Sequence, residues 1–126
     1  MNDYLVIFFG GGLGASARYW LGGLVHKQLG STFSYGTLTV NILGCILIGL
    51  AMASTQERFL ASPQLRLFLT VGLLGGFTTF SSFSYETIAM LKDGAFTYAG
   101  LNIAASIICC LAGTWVGMQV GKFLLS

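Results

Sequence analysis

Long apolar runs alternate with short polar segments along the whole chain. The runs span about residues 4–25, 33–54, 65–91 and 95–124, and most charged residues lie at their ends or between them. Each run holds about 20 residues or more, which at about 1.5 Å per residue crosses a hydrocarbon core of about 30 Å. The pattern therefore predicts an all-α integral membrane protein with four transmembrane helices.

Composition agrees with this prediction and leaves no room for a further domain. Of the 126 residues, 55% are apolar and 8% are charged, and the mean hydropathy is +0.80. Such values lie outside the range of soluble domains of this size. Because the connecting segments are short, residues 1–126 are predicted to form a single domain of antiparallel helical hairpins surrounded by lipid. The net charge of +2 is spread thinly, so nucleic-acid binding is not supported.

Lys and Arg residues are divided almost equally between the two sides of the predicted bundle. If the N-terminus is cytoplasmic, the cytoplasmic side holds three of these residues, Arg58, Arg66 and Lys122. The opposite side holds Lys27 and Lys92, and also Arg18 if that residue is included. A fixed topology normally shows a clear Lys/Arg excess in its cytoplasmic loops. The chain is therefore predicted either to insert both ways and pair antiparallel, or to hold one weakly specified orientation.

Small residues recur at helical spacing on the first and last runs. Gly10 and Gly14 share one face, and so do Gly113, Gly117 and Gly121. This spacing lets helix backbones approach closely, and packing within the subunit is the default expectation. Because four helices pack around their own side chains and leave no aqueous path, a transport function would require a second copy or a partner protein.

The third run contains an unusual stretch, "GGFTTFSSFSYE", at residues 75–86. Two glycines and two β-branched threonines are weak helix formers, so we expect a helix break within residues 75–79. In a membrane such a break must be buried in protein or line water, and its free carbonyls would suit a small cation. The alternative is a continuous helix in which the glycine pair only permits tight packing.

Aromatic and hydroxyl side chains are interleaved after the expected break. Phe80 and Phe83 share a helix face, and the residues between and beside them include Ser81, Ser82 and Ser84. An aromatic stripe is usually core or lipid-facing, but hydroxyl groups would gain nothing from lipid. Because a phenyl ring has a positive edge, ring edges and hydroxyl donors together could form an anion path of weak, repeated sites.

Further polar residues interrupt the apolar runs. Asn41 is either a hydrogen-bonding contact between helices or part of a pore, and Ser106 and Thr114 are either small packing residues or hydroxyls of a polar track. Arg18 and Glu86 are costly in a membrane unless they are paired, reach the interface or face water. They are predicted to have vestibule or structural roles, with Glu86 as a possible partner of Arg18.

The three cysteines all lie within apolar runs. Cys109 and Cys110 are adjacent, and Cys45 is distant from them in sequence, so no metal-ligand spacing is present. They are predicted to be small, buried apolar residues.

Three stretches resemble the Fluc (CrcB) family of bacterial and archaeal fluoride channels: "GGGLGASARY", "TLTVNILGCILIG" and "GLLGGFTTFSSFSYE". The resemblance extends over the whole chain in length, helix count and motif order. It implies an antiparallel, dual-topology homodimer in the bacterial plasma (inner) membrane. Two pores in this dimer would let fluoride leave the cytoplasm passively and so relieve fluoride toxicity.

The same resemblance implies roles for individual residues. A structural Na+ at the dimer axis would be held by the main-chain carbonyls of Gly75 and Thr78. The pore phenylalanines would be Phe80 and Phe83, and the pore asparagine would be Asn41. The hydroxyls of the polar track would belong to Ser81, Ser84 and Thr114.

Two other functions are alternatives to a channel. A small four-helix drug/proton exchanger would want a carboxylate at the membrane centre, but Glu86 lies late in its run and beside Lys92. A non-transporting accessory subunit would tolerate changes in its polar interior.

No set of nucleophile, base and oxyanion donor can be assembled from these residues, so the chain is not predicted to be an enzyme.

Overall fold

The computed structural model describes residues 2–56 and 62–125, and every regular element in these two ranges is helical. The elements are α1 (Asp3–Leu29), α2 (Tyr35–Gln56), α3 (Pro63–Leu67), a π-helix (Phe68–Leu74), α4 (Gly75–Phe77), α5 (Phe80–Lys92) and α6 (Phe96–Leu125). The all-α prediction is confirmed, and helical stretches cover all four predicted runs. Arg58, which entered the charge comparison, lies outside the described residues.

Three stretches of the described chain are long and apolar enough to cross a membrane: Tyr35–Ala53, Pro63–Lys92 and Phe96–Leu124. The chain is therefore a multi-pass membrane protein. The first predicted span is present as α1, a helix of 27 residues, but it is not among these three. The count of four spans thus stays a prediction.

The surface has the apolar character expected of a protein in lipid. Aromatic side chains are the most exposed: Trp20 is 68% exposed and Phe123 is 85% exposed. The buried positions, by contrast, include polar side chains, among them Thr87, Asn102 and Ser106. Because lipid removes the cost of exposing apolar surface, packing inside the bundle depends on close approach and hydrogen bonds.

Glycines allow two pairs of helices to pack with their backbones almost in contact. On α6, a Cβ at Gly117 would overlap the backbone of Ile46 on α2. On α1, a Cβ at Gly14 would overlap the backbone of Leu73 in the π-helix. The small-residue faces predicted from sequence therefore pack within the subunit, which confirms the default expectation.

Two short connections use glycines with positive φ. Gly30, after α1, has φ 88°, and Gly94, between α5 and α6, has φ 79°. Residues with a Cβ rarely adopt this left-handed region, so glycine lets the chain turn back within a few residues. These turns place α1 beside α2 and α5 beside α6.

Candidate functional site

The third helical stretch is interrupted at Thr78 and Thr79. Both residues have extended backbone, with ψ 160° and 122°, and α5 begins directly after them at Phe80. Thr79 is the N-cap of α5, and its Oγ1 accepts a hydrogen bond from the Ser82 N–H at 3.1 Å. The interruption lies within the predicted range 75–79, so the alternative of a continuous helix is wrong.

Asn41 on α2 satisfies the backbone of the interrupted segment. Its Nδ2 donates to the Thr79 carbonyl at 2.9 Å, and its Oδ1 accepts from the Thr79 N–H at 2.8 Å. The side-chain amide thus bonds both backbone groups of Thr79, as the backbone of a residue on a neighbouring strand would. An unpaired backbone group in a membrane is costly. These two hydrogen bonds therefore allow the helix to open here.

Arg18 on α1 contacts the end of the helix that precedes the break. Its Nε donates to the Gly76 carbonyl at 3.1 Å, and the side chain is half-buried. A cation at a helix C-terminus is favoured because the last carbonyls lack intrahelical donors. Arg18 and Glu86 face the same cavity, described below, but the structure does not pair them.

Two carbonyls at the break lose the donors that a continuous helix would give them. The Thr79 N–H, which would bond to the Gly75 carbonyl, donates to Asn41 instead. The Ser82 N–H, which would bond to the Thr78 carbonyl, donates to Thr79 Oγ1. Carbonyl oxygens are ligands that hard cations prefer, so the donor set at Gly75 and Thr78 fits the predicted Na+.

A cavity of about 460 Å³, here called the phenylalanine cavity, lies beside the break. The Phe80 and Phe83 rings form one side of it, with ring centroids 5.3 Å apart and planes at 48°. Phe80 is 78% exposed in the single chain. The described lining contains no charged side chain, and its polar members are Asn41, Cys45, Thr70, Thr78, Thr79, Ser106 and Cys110.

A second cavity, of about 400 Å³, also lies beside the break and is called the arginine–glutamate cavity. Arg18 and Glu86 line it, and Thr79 lines both cavities. Glu86 Oε1 accepts from Thr37 Oγ1 at 2.5 Å, whereas Glu86 Oε2 is buried and has no hydrogen-bond partner. The other polar or titratable lining residues are Tyr19, His26, Ser34 and Ser82.

The structure brings together only part of the predicted site. Asn41, Phe80 and Phe83 share the phenylalanine cavity with the backbone of the break. Ser81 and Ser84 are exposed on α5, Thr114 is half-buried on α6, and these three line neither cavity. Ser106, weighed in the sequence as a packing residue or a hydroxyl of a polar track, lines the phenylalanine cavity.

A buried polar contact next to the site was missed by sequence reasoning. Asn102 on α6 is 1% exposed, and its Nδ2 donates to Thr87 Oγ1 at 2.9 Å. Thr87 Oγ1 in turn donates to the Phe83 carbonyl at 2.7 Å. Asn102 could have been found by the rule that singled out Asn41, since both are asparagines inside apolar runs.

Residues 5–118 match the model of the family described as CrcB-like protein, Camphor Resistance (CrcB). The chain belongs to the CrcB family. A relative from Geobacter sulfurreducens (strain ATCC 51573 / DSM 12127 / PCA), named Fluoride-specific ion channel FluC, is 49% identical over 124 residues, which are 98% of this chain and 100% of the relative. A Geobacter metallireducens relative with the same name is 50% identical over 124 residues, with the same coverage of both chains. One from Geotalea daltonii, also so named, is 48% identical over 121 residues, or 94% of this chain and 98% of the relative.

These relatives carry the name of a channel, in agreement with the prediction that this CrcB family member is not an enzyme. The two cavities also suit the passage of an ion better than the catalysis of a reaction. The phenylalanine cavity offers ring edges, hydroxyls and an amide without a fixed charge, while the arginine–glutamate cavity holds one side chain of each sign.

Proposed function

We propose that the protein is a fluoride-selective ion channel through which fluoride leaves the cytoplasm passively. The observation that carries the proposal is that both cavities have Thr79 in their linings, beside the helix break. An ion could pass from the arginine–glutamate cavity to the phenylalanine cavity along this residue. The names of the relatives support fluoride as the ion.

In this proposal, the arginine–glutamate cavity is a vestibule that receives the anion. The Arg18 guanidinium attracts fluoride from water, and its bond to the Gly76 carbonyl uses only one of its five donors. Glu86, bonded to Thr37, faces the same space and keeps the local charge balanced. A vestibule of this kind raises the local anion concentration without binding one ion tightly.

The phenylalanine cavity then replaces the water around fluoride with weak donors. Asn41 Nδ2 carries two hydrogens, of which one is bonded to Thr79, so the other can be donated to the ion. The positive edges of Phe80 and Phe83 and the Ser106 hydroxyl supply further weak sites. Such sites suit conduction because each is favourable enough to enter and weak enough to leave.

We further propose that two copies pair in opposite orientations and form two pores. The near-equal division of Lys and Arg supports dual insertion. Phe80 and Gly75 are exposed in the single chain although they lie at the break, so a second copy could cover them. In this dimer, Ser81, Ser84 and Thr114 would complete the polar track.

The break supplies a place for a structural cation in this dimer. The carbonyls of Gly75 and Thr78 have lost their helical donors, and in an antiparallel pair they would face their own copies. A Na+ bound by them would offset the repulsion between carbonyl dipoles that point toward one another. It is proposed as a structural ion that takes no part in conduction.

Passive export of fluoride is consistent with the chemistry of the ion. Hydrogen fluoride crosses membranes as a neutral acid from acidic surroundings and ionises in the more neutral cytoplasm, where fluoride accumulates. A membrane potential that is negative inside drives the anion out through a selective pore, and no nucleotide is needed. We therefore place the protein in the bacterial plasma (inner) membrane, where it would relieve fluoride toxicity.

The test is anion efflux from liposomes that contain the purified protein, with fluoride and chloride compared in matched gradients. We expect fast fluoride efflux carried by potential alone and no measurable chloride efflux. Equal chloride efflux would refute selectivity, and efflux that requires a proton gradient would favour the drug/proton exchanger. Phe83→Ile serves as the pore variant and Phe123→Ile, on an exposed surface position, as its control.

A further inference from the structure

Two thiols from different helices meet inside the phenylalanine cavity. Cys45 lies on α2, one helical turn after Asn41, and Cys110 lies on α6. Both line the cavity, and a Cβ placed at Gly113, three residues after Cys110 on α6, would lie 3.8 Å from the Cys45 Cβ. Both are free cysteines and half-buried, and Cys109 is exposed, so the prediction that all three are buried is wrong.

The third cysteine, Cys109, shows that not every cysteine in the apolar runs faces the cavity. Cys109 is adjacent to Cys110 but is exposed on the outer side of α6 and lines neither cavity. The side chains that face the cavity are therefore one thiol from each of two neighbouring helices. The cavity lining therefore holds two sulfur ligands contributed by two helices that pack against each other.

The chemistry of the ligand set selects the class of ion. Sulfur ligands are soft and prefer soft metal ions over hard ones. Within the described residues no group of three or more His, Cys, Asp or Glu side chains could hold a metal, so a four-coordinate zinc-type site is not available. Two sulfur ligands alone satisfy Cu+ or Ag+, which are closed-shell cations that readily bind two ligands in a line.

We propose that Cys45 and Cys110 form a binding site for one soft monovalent cation, Cu+ or Ag+, whose occupation obstructs the phenylalanine cavity. Binding forms two metal–sulfur bonds and releases one proton to water, leaving one thiolate and one thiol on the metal. The complex is then neutral, which an apolar cavity favours over a charged one. No electron is transferred, and the reaction reverses when a soluble thiol competes for the metal.

The first measurement is binding, which does not depend on the proposed function. The purified full-length protein is mixed with silver nitrate in chloride-free buffer and desalted, and bound silver is counted by mass spectrometry while ultraviolet absorption reports silver–sulfur bonds. We expect one tightly held Ag+ per chain in the wild type and in Cys109→Ser. Cys45→Ser and Cys110→Ser should each lower bound Ag+ about tenfold or more, because serine oxygen is a hard ligand.

The second measurement is obstruction, which rests on the proposed function. Ag+ should lower fluoride efflux from liposomes about tenfold or more in the wild type and in Cys109→Ser, and dithiothreitol should restore it. In Cys45→Ser and in Cys110→Ser, the ratio of fluoride efflux with Ag+ to efflux without it should stay near one, whatever the basal rate of the variant. Alanine at either position gives a second variant if serine disturbs folding.

The outcomes separate the two proposals. Silver binding that survives in the Cys45→Ser/Cys110→Ser double variant, or that is lost in Cys109→Ser alone, would overturn the site. Binding at the pair with unchanged fluoride efflux would overturn the obstruction. Binding at the pair in a protein that carries no fluoride even without silver would uphold the metal site and refute the channel.

Discussion

The two halves of the broken third helix are held in place by different forces. Before the break, residues 63–77 pack through backbone contacts on α1, where Gly10 and Gly14 lie against residues 68–77. After the break, α5 contains no glycine, and hydrogen bonds from Asn41, Thr37 and Asn102 reach its N-cap residue Thr79 or its side chains. The first half is fixed mainly by backbone packing, with one hydrogen bond from Arg18 to the Gly76 carbonyl, and the second half is fixed by polar contacts.

This difference indicates how a membrane protein can keep a polar segment ordered. A glycine contact either fits or overlaps, so the first half has one possible position. The second half is held by separate hydrogen bonds that leave ring edges and hydroxyls free for an ion. Changes in the first half should therefore affect folding, and changes in the second half should affect flux before folding.

The largest effect is expected from Gly14→Val, which tests the half fixed by shape. Its side chain would overlap the backbone of Leu73 and Phe77, and backbone atoms cannot move aside as a flexible side chain can. Overpacking costs about 1–3 kcal/mol in tolerant cores, so the cost here should be about 3 kcal/mol or more. The yield of monodisperse protein on size exclusion should fall about tenfold.

Gly12→Ala is the matched control on the same helix, because nothing lies within 4 Å of a Cβ at Gly12. Its yield and thermal unfolding midpoint should match those of the wild type. A Gly14→Val protein with wild-type yield would show that the first half is not fixed by shape.

The next largest effect is expected from Asn41→Leu, which removes the contact that holds the break. The Thr79 N–H and carbonyl would lose their partners, at a cost of about 1–3 kcal/mol for each buried group. Fluoride efflux should fall about 100-fold because the pore also loses its amide donor. Size exclusion should still give an assembled protein.

Leu47→Ala, at an exposed position on the same helix, should retain efflux. An Asn41→Leu protein with normal efflux would contradict the role given to the amide, and one that fails to assemble would place the break among the contacts needed for folding.

A moderate effect is expected from Asn102→Leu, which acts on α5 from α6. The variant leaves Thr87 bonded to the Phe83 carbonyl but without its buried donor. Unfolding free energy should fall by about 1–2 kcal/mol, and fluoride efflux by a few-fold at most. A double-mutant cycle with Thr87→Val measures the coupling, and we expect about 0.5 kcal/mol or more. Purely additive effects would show that the bond contributes nothing specific.

The smallest effect is expected from Thr37→Val, which removes the donor to Glu86 Oε1 while keeping the shape of the side chain. One hydrogen bond contributes about 0.5–1.5 kcal/mol, so stability should change little and fluoride efflux about two- to fivefold. Thr39→Val is the control, since its side chain makes no described hydrogen bond to α5. Equal effects of the two changes would argue against a role for Glu86 in the vestibule.

Hydropathy and local helix propensity predicted the bounds of the helices and the position of the break to within a few residues. The second run was predicted over 33–54 and forms Tyr35–Gln56, and the last was predicted over 95–124 and forms Phe96–Leu125. The break was found because two glycines precede two β-branched residues, a local signal. The π-helix was not predicted, because hydropathy and helix propensity do not distinguish α-helical from π-helical hydrogen bonding.

The site was harder to predict because its contacts join distant residues. Asn41 was recognised as unusual and Thr79 was placed in the predicted break, but the two residues lie 38 positions apart and nothing in the sequence pairs them. Spacing placed Phe80 and Phe83 on one face correctly. It could not separate hydroxyls that line a cavity from hydroxyls that face outward, such as Ser81 and Ser84, because both kinds alternate at the same period.

The π-helix at Phe68–Leu74 has a consequence for how chains of this kind can vary in length. A π-turn corresponds to one residue inserted into an α-helix, and deleting it would rotate the following segment by about 100°. Gly76 would then turn away from Gly11, on which it packs. Alignment gaps among related chains should therefore avoid this stretch and gather in the connections between helices.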